Sequence, residues 1–115
     1  MENPLDPYIL KIYISLMKEA FKGLVGFEWD DGNRDKNKVK HGVSTGETEQ
    51  VFFNDPLIIL EDEKHSQTEK RFAAFGTPDT GRKLVVVYTI RGDRIRAISA
   101  RDMQKKERTF YEQQS

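Results

Sequence analysis

Residues 84–101 hold the strongest constraint on the fold. Leu84-Val85-Val86-Val87-Tyr88-Thr89-Ile90 is a run of β-branched and aromatic residues, which predicts a strand. Arg91-Gly92-Asp93 predicts a tight turn into a second strand, Arg94–Arg101. Strands joined by so short a connection pair antiparallel. Leu57–Leu60 and Lys70–Gly76 predict two more strands, and Pro78-Asp79-Thr80-Gly81 a turn into the central run. The pattern is an antiparallel meander.

Helical signals surround it. Asp6-Pro7 reads as an N-cap followed by proline at the first helical position. From Tyr8 to Leu24, Ile9, Tyr13, Leu16, Met17, Ala20 and Leu24 make a broad apolar face that needs a partner, its own domain or a second copy. Val25–Trp29 alternates as a short strand. Asp30 caps a polar helix running to about His41 and ended by Gly42. Ser44 and Glu47 form a capping-box pattern for the next helix, which Asn54-Asp55-Pro56 stops. Met103–Tyr111 reads as a charged helix. These readings give one α+β domain with an added N-terminal helix.

The 115 residues suit a single domain, and the absence of cysteine excludes disulfides, thiolate metal sites and a cysteine nucleophile. Formal net charge is zero, yet charge is segregated. Residues 47–69 carry seven acidic side chains and one basic; residues 91–108 carry seven basic and three acidic. A neutral protein with one basic flank can still bind a polyanion locally, or the two flanks are solvated faces that offset one another. Lys11, Lys18, Glu19 and Lys22 break the early apolar stretch, which reads as neither a secretory signal nor a membrane span.

Strand alternation sorts side chains by face. With Phe72, Tyr88 and Ile98 lining the core, the open face collects Glu69, Arg71, Thr89, Arg91, Ser99 and Arg101; Arg96 falls beside Ile98 and Ala100. Arginine suits phosphate because its planar fork donates two bonds and stays charged. The bland reading is surface ion pairing with Glu69, Asp93 or Asp102. A one-residue register slip inverts the sorting. Lys38, Lys40 and His41 end the polar helix, where the helix dipole alone favours cations; the functional alternative has Lys40 on phosphate and His41 transferring a proton. His65 reads as a loop residue, and two histidines without a compact acid–histidine spacing do not suggest a metal site. No glycine-rich phosphate loop or HExxH motif appears.

Several stretches then stand in a familiar order: Phe27-Glu28-Trp29-Asp30, Asn37-Lys38-Val39-Lys40-His41-Gly42-Val43, Val51-Phe52-Phe53-Asn54-Asp55-Pro56, Glu69-Lys70-Arg71-Phe72, Val85–Thr89, Arg94–Arg101, and Glu107-Arg108 with Tyr111. Over about residues 25–112 the chain resembles the BrnT family of toxins. The resemblance implies a RelE-like fold, a curved antiparallel sheet with helices on one side, for residues 25–115, with residues 1–24 as a helical extension. It implies a cytoplasmic endoribonuclease that stops translation and is neutralised by a DNA-binding BrnA-like antitoxin, operator DNA being reached only through that partner. Neither cofactor nor metal is implied, and the N-terminal helix makes a homodimer an option. Matched residue by residue, the catalytic positions are Lys40, His41, Arg71, Arg91 and Arg101. Glu69, Arg94, Arg96 and Tyr111 are RNA-binding candidates. An inactive relative serving as a protein or RNA interaction module is the alternative.

Overall fold

A computed structural model describes residues 24, 26–62, 66 and 68–114. All of the helix expected over residues 8–24 except Leu24 lies outside the described residues, as does the loop residue His65. The described residues form eight elements: β1 Gly26–Phe27, α1 Lys36–His41, α2 Thr45–Val51, β2 Ile58–Glu61, β3 Phe72–Gly76, β4 Leu84–Arg91, β5 Arg94–Asp102 and α3 Lys105–Gln113. They form a five-stranded sheet in the order β1-β5-β4-β3-β2. Strands β2 to β5 make the expected antiparallel meander, but β1 runs parallel to β5, so the sheet is mixed.

The expected polar helix starts later than Asp30. Asp30 instead makes a side-chain turn, its Oδ1 accepting from the Gly32 N–H at 2.8 Å. Asn33 is buried and donates to the carbonyls of Glu28 and Ala97, both at 3.0 Å. That double bond ties the turn to β5 and delays the helix to Lys36. Gly42 ends α1 in the left-handed conformation at φ 67°. Ser44 and Glu47 close the capping box of α2 as expected.

The β4–β5 ladder holds one irregularity. Val87 pairs with Ser99 but Tyr88 pairs with Ala97, so Ile98 is an extra residue on β5. A bulge of this kind reverses the alternation on one side of itself. Ile95, Ala97 and Ala100 therefore all join the main core with Leu84, Val86 and Tyr88. Arg94, Arg96, Ser99 and Arg101 share the other face, which corrects the expectation that put Arg96 beside Ala100.

Helices cover both faces rather than one. Val43, Val51 and Phe52 pack on the main core, whereas Met103, Phe110 and Tyr111 pack with Ile58, Phe75 and Val85 behind the sheet. Alternation explains this: Val85 and Val86 are both buried because each side of β4 meets a helix layer. The arginine-bearing face is thus divided, with α3 over the Val85 end and, among the described residues, no helix over the hairpin end.

Candidate functional site

The ladder registers build the open end of this face in rows. Arg91 stands opposite Arg94, and Thr89 opposite Arg96. Extending the β3–β4 register beyond Phe72–Tyr88 brings Arg71 beside Thr89 after one residue and Glu69 beside Arg91 after three. Two contacts agree with that extension: Thr89 Oγ1 donates to the Lys70 carbonyl at 2.7 Å, and an Arg91 nitrogen lies 3.5 Å from Glu69. The result is a patch of four arginines, Arg71, Arg91, Arg94 and Arg96, with Glu69 at its rim.

Acidic groups from the β1 side reach into the patch. Arg96 donates to Glu28 and to Asp30, each at 2.8 Å, and a second nitrogen meets Asp30 at 3.2 Å. The hydrogen bond from Arg96 holds the Asp30 carboxyl below its ordinary pKa, helped by the Gly32 N–H, and the same bond raises Arg96. Glu28 also lies 3.7 Å from Arg91. Among the described residues Arg94 approaches its neighbour Asp93, at 3.9 Å, and the Phe27 carbonyl, at 3.5 Å. Sequence reasoning missed Glu28 and Asp30 as partners. Their signal was the acidic pair in Phe27-Glu28-Trp29-Asp30, but the contact requires the parallel β1–β5 pairing, which no local pattern announces.

Arg71 differs from its neighbours. It is half-buried, forms no ion pair among the described residues, and its Nε is buried without a hydrogen-bond partner. Its backbone is well held: the Arg71 N–H donates to Ser66 Oγ at 3.0 Å, and its carbonyl accepts from the Asp62 N–H at 2.8 Å. A buried donor left unmatched costs about 1–3 kcal/mol, which an anion docked on Arg71 would recover.

The remaining expected residues lie elsewhere. Arg101 shares the face but pairs opposite Val85, six residues from Arg91 along β4, or about 20 Å. There it makes a two-pronged bond to Glu107 at 2.7 and 3.0 Å, which raises Arg101 and lowers Glu107. Lys40 is exposed at the end of α1, and His41 bears on Asp102 at the same far end of β5. Tyr111 is a core residue of the α3 layer; its hydroxyl donates to the Pro56 carbonyl at 2.6 Å and meets Thr77 at 3.0 Å, and burial pushes the phenol's pKa up. The five expected catalytic residues therefore divide, Arg71 and Arg91 at one end of the sheet and Lys40, His41 and Arg101 at the other.

Arg82, which sequence reasoning did not single out, organises that far end. It donates to the Gly42 carbonyl at 2.8 Å, to Asp102 at 2.9 and 3.1 Å and to Glu47 at 3.3 Å. One guanidinium thus caps α1 and joins it to β5 and α2.

A protein-family model described as the ribonuclease toxin BrnT of type II toxin–antitoxin systems matches residues 29–107. The chain belongs to the BrnT family. No curated protein matches it. The BrnT match encloses both arginine-bearing ends of the sheet and stops short of Tyr111. Among the described residues no helix is long and apolar enough to cross a membrane.

Proposed function

We propose that this BrnT protein is a metal-independent endoribonuclease whose reaction takes place on the open arginine face. Arg71 carries the reading, because it is the one cation of the patch that forms no ion pair among the described residues. A scissile phosphate docks on Arg71 with Arg91 and Arg96 beside it. Glu69 accepts the proton of the adjacent 2′-hydroxyl. The freed 2′ oxygen attacks phosphorus, the bond to the 5′ oxygen breaks, and a 2′,3′-cyclic phosphate remains. The departing oxygen takes a proton from water at the exposed Arg91–Arg94 end of the face. Charge gathers on the phosphate oxygens in the transition state, and arginines already held by the sheet stabilise it without rearranging.

In this reading Lys40, His41 and Arg101 do not act on the reacting atoms. Cleavage of RNA arrests translation in the cytoplasm, and a BrnA-like antitoxin neutralises the enzyme by presenting carboxylates to the same arginines, linking it to operator DNA only through itself. The RelE-like description of the fold belongs to this proposal and rests on the antiparallel core β2–β5 with its flanking helices.

The test is cleavage of single-stranded RNA by purified protein, with and without a chelator. Wild type is expected to yield 2′,3′-cyclic phosphate ends in both. Arg71→Ala is expected to lower kcat/KM by about 10²–10³, and His41→Ala to keep cleaving. RNA that is bound but never cut would instead support the interaction-module reading. That reading draws on the carboxylates already occupying Arg96 and Arg101.

A further inference from the structure

The far end of β5 carries a charge surplus that the proposed reaction does not use. Arg82 donates to both the His41 carbonyl, at 3.4 Å, and Asp102, at 2.9 Å, and Arg108 on α3 reaches the Met103 carbonyl next to Asp102, so the end of α1 and the start of α3 flank that carboxyl. The carboxylates there are already engaged: Asp102 and Glu47 by Arg82, and Glu107 by Arg101. Lys38, Lys40 and Lys105 are exposed and form no ion pair among the described residues. Arg108 is exposed, donates one N–H to the Met103 carbonyl at 2.8 Å and lies near enough to the Asp102 and Glu112 carboxyls to favour their charge.

We infer that Lys38, Lys40, Lys105 and Arg108 form a second binding site for RNA backbone phosphate, separate from the arginine face. Arg96 and Asp102 are six residues apart on one strand, about 20 Å. That is roughly twice the Debye length of about 10 Å at 0.1 M salt, so the two sites attract phosphate independently. A long strand touches both, and a short one touches only one. The chemistry favours RNA over an acidic protein. Protein interfaces have an apolar or aromatic centre, whereas the one large hydrophobic residue strongly exposed among the described residues, Phe53, lies at the end of α2 against Phe27. Flexible lysines around an open surface suit a polyanion read without sequence preference.

The inference rests on RNA being the ligand of the arginine face, and its test reads binding rather than cleavage. A non-cleavable 2′-O-methyl RNA long enough to span both sites, and a trinucleotide that cannot, are titrated by fluorescence anisotropy over a range of salt. The variant is Lys38→Gln/Lys40→Gln/Lys105→Gln. For the long strand the slope of log K against log salt is expected to flatten by about 2, close to 0.7 per lost phosphate contact. Trinucleotide binding is expected to stay unchanged. Arg71→Ala is expected to weaken both. The triple Lys→Arg variant, with charge retained, is expected to keep the wild-type slope, which separates charge from misfolding.

An unchanged slope on the long strand overturns the inference. So does an equal loss on the trinucleotide, which would place the lysines in a single site with Arg71. An unchanged RNA slope together with lost binding to an acidic antitoxin overturns it in favour of a protein partner. If wild type binds RNA but never cuts it, the reaction proposed above fails, while the slope still decides this second site.

Discussion

At the residue scale, close packing between layers sets the sharpest limits. A Cβ placed on Gly76 would stand 2.8 Å from a Val51 methyl and 3.0 Å from the Val51 carbonyl oxygen. The methyl can turn aside, but the carbonyl belongs to the last turn of α2 and cannot. Gly76 is therefore a spacing residue where β3 meets the helix. Gly76→Ala is expected to destabilise by about 1–3 kcal/mol, as overpacked cores do. Gly46→Ala serves as the control, because its Cβ would meet only Ser44 Oγ at 3.9 Å on an exposed helix turn, where alanine is the better helix former. Thermal melts of the two variants decide the matter: equal midpoints would mean that α2 shifts freely over β3, and that the packing argument is wrong.

At the element scale the bulge on β5 decides which arginines share a face. Ile98 is the extra residue, and the pairs Val87–Ser99 and Tyr88–Ala97 hold on either side of it. Deleting Ile98 would leave those pairs adjacent in an ordinary ladder, with Arg94 and Arg96 still on the arginine face. The deletion is thus expected to fold, to unfold cooperatively, and to lose a few degrees of thermal midpoint from the missing half-buried side chain. A deletion that abolishes folding would show that the local bend, and not the register alone, is needed. The same bulge explains what the sequence made legible. Strands β2 to β5 and helices α2 and α3 followed from apolar runs, turn residues and capping patterns, and each was visible within a dozen residues. Arg71, Thr89 and Arg91 were placed together on one face because β3 and β4 alternate regularly. Arg96 was misplaced because alternation is a parity argument, and one inserted residue changes parity. Helices on both faces were also missed, since Leu84–Ile90 has no polar face to show which side stays open. The separation of Lys40, His41 and Arg101 from Arg71 depends on where α1 ends along β5, a distance that no local spacing encodes.

At the scale of the whole molecule, ion pairs clamp opposite ends of one sheet, and they share a pH signature. Asp30 and Asp102 are lowered chiefly by hydrogen bonds from Arg96 and Arg82, Glu107 by Arg101 and Glu112 by Lys83. Burial opposes the shift at Glu47, but hydrogen bonds from Thr80 and the Ser44 N–H, with the charge of Arg82, leave it lowered as well. A carboxyl whose pKa is lower in the folded state binds fewer protons folded than unfolded near pH 4. Its contribution is present above the unfolded value and is lost as pH falls through the folded one. These five groups act in the same direction, so stability is expected to fall steadily as pH drops from about 5 toward 3. Both ends of the sheet should loosen over that same window. Tyr111 gives the opposite limb: its raised phenol keeps its proton in the folded state, so stability declines as pH rises past the ordinary tyrosine range. Glu107→Gln isolates one contribution, because it keeps the shape of the side chain and removes its charge from Arg101. The variant is expected to be less stable than wild type at pH 7, and to lose less on acidification, so that the two melting curves converge near pH 3. Curves that stay parallel from pH 7 to pH 3 would mean that the Arg101–Glu107 pair contributes no net stability, and that α3 is held by its other contacts, the packing of Met103, Phe110 and Tyr111 and the Lys83–Glu112 bridge.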